Sequence, residues 1–123
     1  TPGFAAPEMY RRDAEMGPWT DIYAIGACIY ACMQGYPPND APQRQEKDRL
    51  GLSMSRLRGA YSDNLIEVVE WCMALDALAR PQSVFALQKE LARESERRYT
   101  KMSVGDKVRM QFEGMVGEGG KKK

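Results

Sequence analysis

TPGFAAPE occupies residues 1–8, TDIYAIG residues 20–26 and ALARPQS residues 77–83. Pro2, Gly3, Pro7, Gly17 and Pro18 punctuate the first twenty residues, which predicts an irregular but folded loop rather than a helix or strand. Thr20 or Asp21 is placed to cap the helix that follows. That helix carries Ile22, Ile25, Ile29 and Met33 and stops at Gly35, just before Pro37 and Pro38. It is apolar nearly all the way round, the mark of a central helix surrounded by others.

Working outward, residues 40–50, DAPQRQEKDRL, are polar on most faces and read as a solvated helix or loop. Ser62 or Asp63 opens a third helix, in which Leu65, Val68, Cys72 and Leu75 recur at helical spacing and predict one buried face. Pro81 suits the first turn of a fourth helix. There Val84, Leu87 and Leu91 form the apolar stripe, Lys89, Glu90, Arg93 and Glu94 face water, and Arg97, Arg98 and Lys101 complement the negative end of the dipole. From Met102 the pattern changes: SVGDKVRMQFEG alternates weakly, enough for one short strand but without a visible partner, and GEGGKKK is a basic end. A flexible linker is the expectation for this tail. Its lysines are too few to predict a membrane surface as partner.

The 123 residues are 43% hydrophobic, enough for one modest core. Eighteen basic and 17 acidic side chains leave a formal charge of +1, which does not predict a nucleic-acid partner. There is no histidine. Cys28, Cys32 and Cys72 all sit in apolar stretches. Cys28 and Cys32 share a helix face, but without His or a second cysteine pair they predict buried free thiols in a reducing compartment rather than a zinc site. The run from Ile22 to Met33 is too short to span a bilayer. No signal peptide is visible, and the first residue, Thr, suggests a fragment of something larger.

Taken together, TPGFAAPE, Asp21 in TDIYAIG and Arg80 in ALARPQS resemble the back half of a eukaryotic-type Ser/Thr protein kinase domain, from the end of the activation segment to the last helix. The three anchors fall in order, with helices of fitting character between them. Tyr23 stands where the family often has Trp, and the Ala77-Leu78-Ala79 approach to Arg80 is of the kind found in bacterial members. The resemblance implies a mainly α fold, with residues 1–100 as part of a kinase C-lobe and 101–123 as a flexible basic tail or linker. It implies that Thr1, Pro2, Gly3 and Phe4 cradle the substrate next to the acceptor residue, Thr1 favouring Ser or Thr as acceptor. It implies a buried ion pair between Glu8 and Arg80, tying the activation segment to the lobe. Asp21 would anchor the backbone of the catalytic loop; from the residues alone it is a helix N-cap.

The Gly-rich loop, the Val-Ala-Ile-Lys-like strand, the His-Arg-Asp motif and Asp-Phe-Gly, which hold nucleotide and metal in this family, do not occur in the sequence. ATP and Mg²⁺ are therefore expected as cofactors of a longer parent and not of this chain, and catalysis by the chain alone is not expected. The parent's partner is a protein substrate. Cytoplasmic placement is expected, with a membrane anchor elsewhere in the parent in keeping with bacterial members. Lacking the upstream helix and catalytic loop, the central helix should expose Ile, Tyr, Ala and Met side chains and drive self-association. Two rival readings remain. One is a pseudokinase or scaffold that keeps the fold as a binding module. The other is an unrelated all-helical interaction domain, which requires no contact between Glu8 and Arg80.

Overall fold

The computed structural model describes residues 1–101 and 104–121. A short 3₁₀ helix, Pro7–Tyr10, precedes six α helices: α1 Pro18–Gln34, α2 Ala41–Glu46, α3 Leu50–Ser55, α4 Asp63–Cys72, α5 Val84–Lys101 and α6 Val104–Lys121. A second 3₁₀ turn, Ala77–Ala79, leads into Arg80. Among the described residues there is no strand, only an isolated bridge between Arg58 and Tyr61. The chain divides into two units, Thr1–Leu91 and Ala92–Lys123.

In the first unit, α1 begins earlier than Thr20 or Asp21 would set it. Pro18 takes the first helical position, where its missing N–H costs no hydrogen bond, and Gly17 is the cap residue. Asp21 therefore does not cap the helix; it is exposed in the first turn, where a carboxylate favours the positive end of the dipole. At the far end the Gly35 N–H donates to the Ala31 carbonyl at 2.8 Å and closes the helix in the left-handed conformation.

One face of α1, carrying Tyr23, Ala27 and Tyr30, packs with Ala6, Leu50, Met54, Ile66, Val69 and Met73. A second cluster joins Ile22 to Val68, Cys72 and Leu87. The helices α1 and α4 approach so closely at Gly26 that a Cβ there would lie 2.7 Å from the Cys72 Cβ and 2.9 Å from the Met73 Cγ. Glycine is what permits that contact.

The opposite face of α1 is not surrounded. Asp21, Ile25, Cys28 and Cys32, spaced by four, three and four residues, form an exposed stripe. The expectation of buried thiols thus holds only for Cys72, whose thiol burial pushes up to about 11. Cys28 and Cys32 are exposed. The strip is also narrower than the sequence suggested, because Tyr23, Ala27 and Tyr30 turn inward.

In α4, the Ser62 hydroxyl accepts a hydrogen bond from the Leu65 N–H at 3.2 Å. Its buried face is Ile66, Val68, Val69 and Cys72, with Leu65 and Leu75 only partly covered. Helix α5 starts three residues after Pro81, with the Ser83 hydroxyl accepting from the Ala86 N–H at 3.1 Å. Of its expected stripe Leu87 is buried, while Val84 and Leu91 are exposed at 45% and 37%. The side chains of Arg97, Arg98 and Lys101 lie outside the described residues, as do Met102, Ser103, Lys122 and Lys123.

In the second unit, Val104–Lys121 is a helix rather than the short strand its alternation allowed. A lone strand leaves its backbone donors and acceptors without partners, whereas a helix satisfies most of them within itself. Val104, Val108 and Phe112 are exposed along α6, and Asp106 pairs with Arg109 at 3.5 Å. No helix of the described residues is long and apolar enough to cross a membrane.

Candidate functional site

Thr1–Phe4 forms a tight turn, with the Phe4 N–H donating to the Thr1 carbonyl at 3.2 Å. Pro2 occupies the second position and Gly3 the third, at φ +91°, the arrangement of a type II turn. Any side chain at position 3 would meet the Pro38 carbonyl oxygen at 2.6 Å. The turn is thereby seated on the segment that follows α1. Thr1 and Pro2 are exposed, Gly3 is buried, and the half-buried Phe4 ring packs against the main core cluster.

Four residues further on, the 3₁₀ helix turns Glu8 inward. Its carboxylate meets the Arg80 guanidinium in a two-pronged contact, Nη1 to Oε2 at 2.7 Å and Nη2 to Oε1 at 3.0 Å, across 72 residues of sequence. Neither side chain is more than 4% exposed. The remaining Arg80 donors go to carbonyls: Nε to Ala74 at 2.7 Å, Nη1 to Trp19 at 3.2 Å and Nη2 to Leu75 at 3.3 Å. A buried guanidinium needs this complete set, because each unmet donor would carry its desolvation cost.

Thr20 was readable only as a candidate cap. Its hydroxyl instead donates to Glu8 Oε2 at 2.9 Å and accepts from the Gly17 N–H at 3.2 Å. The start of α1 is thus joined to the same carboxylate. Burial by itself would raise the Glu8 pKa; hydrogen bonds from Arg80, the backbone and Thr20, together with the Arg80 charge, hold it below the ordinary glutamate value.

A second buried guanidinium was not legible. Arg44, in a segment read as solvated, is buried. Its Nε and Nη2 reach the two Asp48 oxygens at 3.1 and 3.0 Å, and its Nη1 donates to the Tyr23 hydroxyl at 3.0 Å and to the Met73 carbonyl at 2.6 Å. Tyr23 lies between the two arginines, with the Arg80 guanidinium carbon 4.9 Å and that of Arg44 5.9 Å from its ring centre. An Arg and an Asp four residues apart in a polar stretch give the same pattern as an exposed pair, so their spacing does not reveal that Arg44 is buried.

Asp21 is not part of this assembly; it stands exposed on the open face of α1. Among the described residues no group of three or more His, Cys, Asp or Glu is arranged to hold a metal ion.

Among solved structures the chain is similar to one titled "PpkA-294 apo form", with 36% sequence identity and a TM-score of 0.66. The match covers 74% of this chain and 31% of that one, so the chain spans less than a third of the protein it resembles. The likeness is consistent with a protein kinase fragment. The mainly helical fold agrees with part of a kinase C-lobe. No protein-family model and no curated protein matches the sequence.

Proposed function

We propose that this chain is the substrate-side base of a Ser/Thr protein kinase whose nucleotide and metal groups lie upstream in a longer parent. PpkA-294, which it resembles, is a bacterial Ser/Thr kinase. The observation that carries the reading is the buried fork between Glu8 and Arg80, which fastens the Thr1–Phe4 turn to the helical body. In this reading the parent transfers the γ-phosphate of ATP to a protein Ser or Thr. The exposed Thr1 and Pro2 flank the acceptor, and the buried Gly3 and packed Phe4 keep the turn rigid. Holding the acceptor hydroxyl in line is a large part of what an enzyme contributes to phosphoryl transfer.

Asp21, free of the cap role, is available on the open face of α1 to hold the catalytic loop of the parent. The same face, with Ile25, Cys28 and Cys32, is where the isolated chain self-associates. Light scattering over a range of concentrations tests that; a monomer at every concentration sinks it.

The function itself is tested by phosphate incorporation from ATP into a generic Ser/Thr substrate, using the parent, a Thr1→Ala parent and this chain alone. Incorporation by the parent only, lowered in the variant, is expected. A folded parent that transfers no phosphate overturns the reading in favour of a scaffold.

A further inference from the structure

A cleft of about 290 Å³ opens between α4 and α5, away from the Glu8–Arg80 assembly, lined by Asn64, Glu67, Val68, Trp71 and Glu90. Asn64, Glu67, Val68 and Trp71 follow one another at positions i, i+3, i+4 and i+7, so helical spacing alone brings them to one face of α4. Val68 is buried with Ile22, Cys72 and Leu87 and forms an apolar floor. Half-buried Trp71 forms a wall, and Glu67 and Glu90 supply carboxylates from the two helices. Asn64 and Glu90 already have interaction partners, as does Arg93, one turn beyond Glu90. Glu67 is exposed and makes no hydrogen bond or ion pair among the described residues. It stands one helical turn from the indole.

We propose that this cleft takes the side chain of an arginine presented by a protein partner. An indole face attracts a cation, and a guanidinium both stacks flat on it and forks to a carboxylate, which an ammonium cannot do. The volume sits at the lower edge of what small-molecule pockets offer, roughly 300 Å³, and suits one side chain rather than a whole ligand. The lining is complementary to a cation: Glu67 and Glu90 supply its carboxylates, and no basic side chain lines the cleft among the described residues. This binding is independent of phosphoryl transfer, so it stands or falls separately from the kinase reading.

The test is an amide-shift titration of the full ¹⁵N-labelled chain with acetyl-Ala-Ala-Arg-Ala-Ala-amide and with its citrulline counterpart, a neutral isostere. Saturable shifts are expected at the amides of residues 64–71 and at the Trp71 indole N–H, with the citrulline peptide about tenfold weaker because it lacks the charge. Glu67→Gln, at an exposed position, should keep the spectrum of the folded chain and weaken the arginine peptide by about tenfold. Equal binding of the two peptides, no shifts in this region, or unchanged affinity in Glu67→Gln would overturn the assignment. So would peptide-free shifts at these amides that grow with protein concentration, which would give the cleft to a second copy of the chain.

Discussion

Arg80 and Arg44 both bury a guanidinium against the ring of Tyr23, yet they are neutralised in opposite ways. Arg80 meets a carboxylate that is itself buried, Glu8 at 4% exposure, whereas Arg44 meets Asp48, which is 43% exposed. Arg80 joins groups 72 residues apart, while Arg44 and Asp48 are only four residues apart. The first pair fastens distant parts of the chain and leaves either charge stranded if the other is lost. The second lets water take over one partner, so its strength rests more on the neutral acceptors of Arg44, the Tyr23 hydroxyl and the Met73 carbonyl.

The largest expected effect follows from the stranded charge. Arg80→Ala or Glu8→Ala should each lower unfolding stability by ~3–5 kcal/mol, the scale for breaking a buried pair from one side. The double variant should fall well short of the sum, because no charge is then left alone. Urea unfolding of the three variants measures both quantities. Additive losses, or single losses of a few tenths, would make Glu8–Arg80 no different from a surface pair.

That contrast also explains what the sequence reveals. Glu8 and Arg80 stand in short motifs bounded by proline, and the family resemblance links them across the chain. The same is true of the helix order, of the stop at Gly35 and of the start at Ser62, where local backbone chemistry decides the outcome. Arg44 is hidden because burial of a charged side chain depends on what lies above it in space. Here Tyr23 and Met73 come from α1 and the end of α4. For the same reason Cys28 and Cys32 look like core residues in sequence but are exposed: apolar flanks do not say whether a neighbour covers the face. In the tail, weak alternation without a partner strand is no guide to a strand, and residues 104–121 are helical instead.

Arg44→Ala should cost less than Arg80→Ala, ~2 kcal/mol from lost charge-assisted hydrogen bonds. Asp48 then simply hydrates. Asp48→Ala should cost less again, about 1 kcal/mol, as for a half-exposed pair. A loss from Asp48→Ala equal to that from Glu8→Ala would break the distinction, and would mean that Arg44 depends on its carboxylate as fully as Arg80 does.

Acid should separate the pairs further. Glu8 and Asp48 both have folded pKa values below their ordinary ones: burial opposes this in each, and hydrogen bonds from Arg80 and Arg44, respectively, outweigh it. A carboxylate shifted down contributes stability that is complete above its unfolded value, roughly 4.3 for Glu and 3.9 for Asp. The contribution is lost as pH falls through the folded value. Stability should therefore decline below about pH 5, where such groups begin to take up protons. Glu8→Gln should flatten that decline more than Asp48→Asn, since the half-exposed Asp48 gains less from its partner. Unfolding midpoints measured from pH 7 down to pH 3 check this, and an equal flattening by both variants would count against the asymmetry.

The finest test is Tyr23→Phe, which removes one oxygen and keeps the ring. Arg80 touches only that ring, at 4.9 Å, whereas Arg44 also donates to the hydroxyl. The variant should cost about 1 kcal/mol, the usual net value of one hydrogen bond. That loss should disappear in an Arg44→Ala background and persist in an Arg80→Ala background, because only Arg44 uses the oxygen. If the loss instead disappears with Arg80, the two guanidinium sites act through Tyr23 as one coupled unit, and the division between a fully buried lock and a half-hydrated one fails.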